Sequence, residues 1–177
     1  MKTYIISDTH FNHENIIKYC KRPFKSAEEM NNTLIDNWNK TVKKEDQVYH
    51  LGDLYLGPKQ GLRNIISNLN GKIYLIKGNH DRLTNKSYED LGITLLKNAP
   101  IYLDKYKVGL THKPIPDSML KKGYINIHGH IHEKKLEDIY DNNFTKNKHI
   151  NVSADVLKFK PILLKKLIEK RNNKWYI

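Results

Sequence analysis

Five short apolar runs in this chain each stop at a cluster of Asp, Asn and His, and that repetition constrains the fold more than any other feature. Residues 3–7 run into Asp8-Thr9-His10, residues 47–51 into Gly52-Asp53, and residues 72–76 into the segment Gly78-Asn79-His80-Asp81. Residues 107–110 lead to Thr111-His112, and residues 124–127 to Gly129-His130-Ile131-His132. Short β-branched and aromatic runs bounded by polar residues read as buried strands. The ends of such strands in an α/β sheet aim side chains into one crevice while the sheet holds them in place. A spacing of two in extended chain puts both side chains on the same face, so Asp8 with His10, and His130 with His132, are each expected to grip an ion. The glycines before Asp53, Asn79 and His130 allow tight turns and close backbone approach. Imidazole and carboxylate ligation without thiolate suits divalent Mn, Fe, Ni or Zn and argues against a closed structural site.

The intervening segments have helical character. Ser26-Ala27-Glu28-Glu29 has the form of a capping box, and Met30, Leu34 and Trp38 recur at four-residue spacing, which predicts a helix over 27–40. A second helix, begun by Pro58, is predicted over 58–69, with Asn70-Gly71 turning the chain into the next strand. Further strands are expected at 101–103 and 149–152, a helix at 161–170 and a last strand at 174–177. Strands and helices alternate in the first half and strands dominate the second, without an internal repeat or linker. This predicts one α/β domain over residues 1–177, with helices outside packed sheets.

Charge enters the argument as a question about partners. The 177 residues carry 31 Lys+Arg against 19 Asp+Glu, a formal charge of +12, and such an excess points first to a phosphate-rich partner. Only four of the 31 cations are arginine, however, and asparagine occurs 19 times. Nucleic-acid readers favour the arginine fork, whereas abundant Lys and Asn equally reflect an A/T-rich coding pool. Aromatic and basic residues do not interleave along the chain as a strand-binding groove would have them, and core packing accounts for Tyr4, Tyr49, Tyr74 and Tyr102. The single cysteine, Cys20, excludes an intramolecular disulfide and fits a reducing compartment. No apolar stretch approaches the roughly 20 residues that span a bilayer, and the N-terminus lacks a signal-peptide core, so a cytoplasmic protein without a membrane partner is expected.

In this order, Asp-x-His, Gly-Asp, Gly-Asn-His-Asp, His and Gly-His-x-His over residues 8–132 resemble the calcineurin-like metallophosphoesterase superfamily. Residues 10–17, Arg22-Pro23-Phe24 and residues 151–156 look more specifically like the small stand-alone phosphoesterases of bacteria and their phages. The resemblance implies a four-layer αββα sandwich, two mixed β-sheets flanked by helices, with a binuclear metal centre at the strand ends. It implies that Asp8, His10 and His132 hold one divalent ion and Asn79, His112 and His130 the other, with Asp53 shared. His80 matches the histidine that stands over the site without being a ligand, and Asp81 the acid that orients it. Manganese is the first expectation for the metals, with Fe, Ni or Zn as alternatives.

The chemistry of such a set is hydrolysis of phosphoric esters. Two cations about 3.5–4 Å apart bind phosphate oxygens and lower the pKa of a shared water, whose hydroxide attacks phosphorus in line. His80, held by Asp81, is the expected proton donor to the departing alkoxide. A chain this short leaves little to cap the site, so phosphodiesters of nucleotide type are the expected substrates. The alternatives are a nuclease acting on single-stranded or duplex nucleic acid, a phosphomonoesterase, and a non-catalytic scaffold, the last disfavoured by the intact ligand set. His13, on a turn beside His10, and Arg22, a candidate phosphate clamp, are the expected substrate contacts. His50 and His128 are expected to pack or orient, His149 to be structural or exposed, and Asp155 either to approach the site or to bond a turn.

Overall fold

The computed structural model describes residues 1–172, so the strand predicted at 174–177 lies outside the described residues. In chain order the elements are β1 (Thr3–Ile6), α1 (Glu14–Tyr19), α2 (Ala27–Thr41), β2 (Gln47–His50), α3 (Lys59–Ile66), β3 (Lys72–Leu75) and α4 (Asn85–Glu89). There follow β4 (Thr94–Leu95), β5 (Ile101–Leu103), β6 (Val108–Leu110), β7 (Ile125–His128), β8 (His149–Asn151), β9 (Ile162–Leu163) and α5 (Leu164–Asn172). One sheet has the order β4-β3-β2-β1-β9 and the other β5-β6-β7-β8. Both are mixed: β1 to β4 are parallel with β9 antiparallel, and β6 to β8 are parallel with β5 antiparallel. Two mixed sheets flanked by helices are the α/β architecture expected, and one buried apolar cluster spans both sheets and takes in Ile5, Ile6, Leu75, Leu110, Ile127 and Val152.

Local chemistry explains the best-predicted helix. The Ser26 hydroxyl accepts from Glu29 N at 3.1 Å, while Glu29 Oε2 reaches back to Lys25 N at 2.7 Å, so two donors at the start of α2 are satisfied. Its apolar stripe, Met30, Leu34 and Trp38, is buried, and burial of side chains this size contributes about 1.5–3 kcal/mol each. Trp38 Nε1 donates to Asn70 O at 2.9 Å, tying α2 to the turn that starts β3. Two predicted helices have bounds that differ from expectation. Pro58 caps α3, and Asn68 and Leu69 leave it in tight turns through Ile65 O and Ile66 O. The helix predicted over 161–170 begins only at Leu164, because Ile162 and Leu163 pair antiparallel with Ile5 and Tyr4. They cover an edge of β1 that would otherwise present unpaired backbone.

The two sheets meet where the polar motifs begin. Ser7 and Ser153 form a parallel bridge, with Ser7 N donating to Val152 O at 2.9 Å and Ala154 N to Ser7 O at 2.8 Å. β1 and β8 therefore run in the same direction, and the loops after β1, β2, β3, β6, β7 and β8 all emerge at carboxyl ends of parallel strands around one crevice. Among the described residues no helix is long and apolar enough to cross a membrane.

Candidate metal centre

The crevice gathers two groups of potential ligands. Asp8, His10 and His132 present atoms within 4.8 Å of one another, and so do Asp53, His112 and His130. Asp53 lies between them, its Oδ2 3.6 Å from His10 Nε2 and 3.5 Å from His112 Nε2. Its Oδ1 accepts His80 N at 2.8 Å, which leaves Oδ2 directed at both groups. Asn79 joins the second group, with Oδ1 3.0 Å from His112 Nε2. Every ligand position named from the sequence is thus in the crevice.

The backbone reaches this arrangement differently from the extended path expected. Asp8, His10, Asp53, His130 and His132 all have left-handed φ, between 51° and 71°. Such values cost a non-glycine residue roughly 1–3 kcal/mol and cluster at functional sites. The left-handed turns bring His132 to Asp8 and His10 while His130 goes to the other group, so the two histidines two residues apart do not share a face. Backbone bonds hold these turns: Asp8 N donates to Gly52 O, His10 N to Asp53 O and Gly129 N to His112 O, each at 2.9 Å. Glycine is needed for this approach. A Cβ on Gly129 would overlap Ser7 Oγ and Asp8 Oδ2, and Gly52, at φ 103°, would place one 2.6 Å from Gly78 N.

The donor set fits divalent cations. Asp8 Oδ2 accepts from His130 N at 2.9 Å and Ser153 Oγ at 2.8 Å, yet its buried Oδ1 has no partner, and neither does buried His10 Nε2. Buried polar atoms are rarely left unpaired, and both of these face the first group. The His112 Nδ1 hydrogen goes to Leu51 O at 2.8 Å. Its Nε2 lies 3.0 Å from Asn79 Oδ1 and 3.5 Å from Asp53 Oδ2, so the three atoms converge where a cation would be held. His132 Nδ1 is held by Asp155 Oδ2 at 2.8 Å, the carboxylate–histidine arrangement that orients a ligand's other nitrogen. Burial keeps His10 well below its ordinary pKa, and burial with neighbouring His112 and Lys113 lowers His130 to about 4. Both rings are accordingly neutral with lone pairs available. For His132 burial pulls down, but the bond to Asp155 and the nearby Asp8 carry it up to about 10.

This geometry can be set against known proteins. The family model described as the calcineurin-like phosphoesterase superfamily domain matches residues 1–152. The chain belongs to the calcineurin-like phosphoesterase superfamily. A curated relative, the uncharacterized protein MJ1445 of Methanocaldococcus jannaschii, is 46% identical over 175 residues, covering 96% of this chain and 92% of the relative. The Gene 66 protein of Mycobacterium phage L5 is 34% identical over 82 residues, covering 45% of this chain and 39% of that protein. Among solved structures, a protein of unknown function, AQ665 from Aquifex aeolicus, superposes with TM-score 0.71 at 27% identity, over 95% of this chain and 98% of the other. The nuclease MPE of Pseudomonas putida shares the fold at TM-score 0.52 and 20% identity, over 73% of this chain and 61% of the other. The superfamily comprises metal-dependent phosphoesterases, in keeping with the donor set above.

Other residues singled out from the sequence take up positions around the superfamily's crevice that differ in part from expectation. His80 is half-buried at its rim, its ring centroid 5.3 Å from His10 and 5.6 Å from His13. Asp81 does not bond the His80 ring. Its carboxylate accepts Gly78 N and Asp53 N at 2.8 Å and Leu54 N at 2.9 Å, which clamps the loop after β3 to the loop after β2. Burial nevertheless raises its pKa to about 6. Arg22, expected to contact phosphate, has its fork engaged inside the protein: it is buried, with Nε and Nη2 on the two Asp155 oxygens at 2.8 and 2.9 Å. Nη1 also donates to Thr9 O at 2.9 Å and to Met30 Sδ at 3.4 Å, and Nη2 to Asp8 O at 2.7 Å. Arg22 thus braces the first metal loop, and Asp155, left undecided by the sequence, links that brace to His132. His13 is buried with Nδ1 3.1 Å from His10 Nδ1, next to the ligand as expected.

His50 and His128 are buried as expected. His50 Nε2 meets Thr9 Oγ1 at 2.9 Å and its Nδ1 accepts Gly52 N at 3.2 Å, so it joins the loops after β1 and β2. His128 Nδ1 lies 2.9 Å from Gly129 O. His149 is structural, with Nε2 3.0 Å from Asp117 Oδ1.

Proposed function

We propose that this chain hydrolyses phosphodiesters of nucleotide type at a centre of two divalent ions, manganese first among them. Asp8, His10 and His132 would hold one ion, Asn79, His112 and His130 the other, and Asp53 would serve both. The observation that carries the reading is Asp53 Oδ2, nearly equidistant from His10 Nε2 and His112 Nε2, beside the unpartnered Asp8 Oδ1. When bound, the two ions supply Lewis acidity and a lowered pKa for water at neutral pH.

The chain's own residues supply position and a proton. Backbone bonds from the clustered loops fix the ligands before substrate arrives, which limits reorganisation during the reaction. His80 stands at the rim within reach of a leaving oxygen, and its imidazole is the proposed proton donor. The exposed Asn79 and half-buried His80 and His132 leave the cleft open on that side. Arg22, the arginine beside the first loop, is engaged with Asp155 and does not offer a fork to a terminal dianionic phosphate. Both features favour diesters over monoesters. Nuclease action is a second reading, favoured by the +12 charge. A reducing, cytoplasmic setting accords with the single Cys20.

The test is a hydrolysis panel of bis(p-nitrophenyl) phosphate, p-nitrophenyl phosphate, cyclic nucleotides and short RNA and DNA, run with EDTA, Mn, Ni or Zn. Metal-dependent turnover that favours diesters is expected. A large preference for the monoester, or turnover unaffected by EDTA, overturns the reading.

A further inference from the structure

A second cationic feature lies at the opposite end of the four-stranded sheet. Lys121, Lys122, Lys148 and Arg171 line a cleft of about 280 Å³ with Tyr124 on its wall and Asp117 as its carboxylate. Tyr124 immediately precedes β7 and Lys148 precedes β8, whereas the metal loops follow those strands. β-strands rise about 3.3 Å per residue, so the cleft lies up to about 20 Å from His130. The segment from His112 to Tyr124 joins the two places: it begins at a metal ligand, continues through exposed Lys113 and ends in exposed Lys121-Lys122.

Part of the cleft's charge is balanced and part is not. Lys148 Nζ pairs with Asp117 Oδ2 at 2.9 Å, and Arg171 Nη2 donates to Asn147 O at 3.0 Å. Lys121 Nζ is 3.8 Å from Asp104 Oδ1, and Lys122 has no carboxylate within 4.0 Å among the described residues. Aromatic rings adjoin these cations. Lys121 Nζ sits 4.2 Å over the half-buried Tyr102 ring, Lys107 Nζ 5.1 Å over Tyr124, and the two rings meet edge to face at 5.3 Å. The sequence scatters this cluster over residues 102–124, and tertiary structure assembles the aromatic-plus-basic surface that is not apparent along the chain.

We propose that this cleft is a second binding site for the phosphodiester backbone of single-stranded nucleic acid, and that the favoured substrate is a strand long enough to reach from it to the metal centre. The substrate half of this inference rests on the phosphodiesterase reading above. Sites that retain free small molecules are largely apolar and about 300–1,000 Å³. A smaller, cation-lined cleft suits one sugar-phosphate unit of a polymer anchored elsewhere. Basic grooves beside aromatic rings are how proteins hold single strands without reading sequence. A stacked strand advances about 3.4 Å per nucleotide, so about six nucleotides bridge the two places.

The experiment compares wild type with Lys121→Gln/Lys122→Gln, both surface positions outside the metal loops, after matching thermal midpoints show that the variant is folded. Binding of a labelled 12-nucleotide single-stranded DNA and of a trinucleotide is measured by fluorescence anisotropy with EDTA, which removes the metal centre's contribution. With manganese, wild-type kcat/KM is expected to be at least tenfold higher on the 12-mer than on the trinucleotide, and the variant to lose most of that advantage. The variant is expected to lose about tenfold in 12-mer affinity, and its log–log salt slope to fall by about 1.4, at roughly 0.7 per phosphate contact. With manganese, kcat/KM on bis(p-nitrophenyl) phosphate should stay within twofold of wild type. Equal 12-mer affinity in the two proteins overturns the second site, and equal kcat/KM on the 12-mer and the trinucleotide overturns the length preference. Failure of wild type to hydrolyse the small diester refutes the catalytic reading instead, because the anisotropy result does not depend on turnover.

Discussion

Replacing Arg22 by methionine separates a brace from a substrate clamp. The guanidinium's bonds to oxygen, two to Asp155 and one each to Thr9 O and Asp8 O, all lie between 2.7 and 2.9 Å and are buried or partly so. Methionine restores much of the stem's packing but leaves Asp155 buried with only His132 as a charged partner. Removing one member of a buried pair costs about 3–5 kcal/mol, mainly because the other charge is stranded. For a chain of this length each kcal/mol moves Tm by about 2–4 °C, so thermal unfolding in EDTA should show a fall of about 6–20 °C. Asp155 also orients His132, and disturbing such a partner typically weakens metal binding about 10–100-fold, which titration calorimetry with Mn reads directly. Arg22→Met/Asp155→Asn should recover part of the lost stability, since the buried Asp155 charge is removed together with its arginine partner. A Tm change below about 2 °C for Arg22→Met, together with a raised KM for bis(p-nitrophenyl) phosphate, would show that the guanidinium serves substrate and refute the brace.

Three further outcomes are expected. His80→Ala should lower turnover about 10²–10⁴-fold with metal content by elemental analysis nearly unchanged, and parallel loss of metal and activity counts against a proton-donor role. Gly129→Ala, whose Cβ would overlap Ser7 and Asp8, should cost about 1–3 kcal/mol by overpacking and weaken Mn binding; a variant as stable as wild type and fully loaded contradicts the close approach. Burial lowers His50 from 6.5 to about 3 and His128 to about 4, so both are neutral in the fold while the unfolded chain protonates near pH 6.5. That stability is fully present above pH 6.5 and is lost as pH falls through about 4 for His128 and about 3 for His50, with about 3 kcal/mol lost for His50 by pH 4.5 at about 1.4 kcal/mol per pH unit. Urea unfolding between pH 7.5 and 4.5 measures the loss, and a flat profile contradicts it.

The candidate ligand residues, their order and their place at strand ends were legible in the chain because each motif is local: an apolar run, then Asp, Asn or His, in three cases after a glycine. The helix α2 was legible for the same reason, since its cap and apolar stripe lie within 16 consecutive residues from Ser26 to Thr41. Tertiary structure alone decided the left-handed backbone that sends His130 and His132 to different groups, because only contacts between loops can hold non-glycine residues in that conformation. It also turned Arg22 away from substrate toward Asp155, 133 positions along the chain, and set Ile162-Leu163 on the edge of β1 instead of in a helix. Lys121 and Lys107 likewise reach the Tyr102–Tyr124 pair only through the register of β5, β6 and β7. Residue type declares what chemistry a side chain can perform. Which partner it meets depends on strand register and loop path, and these are properties of the whole packed chain.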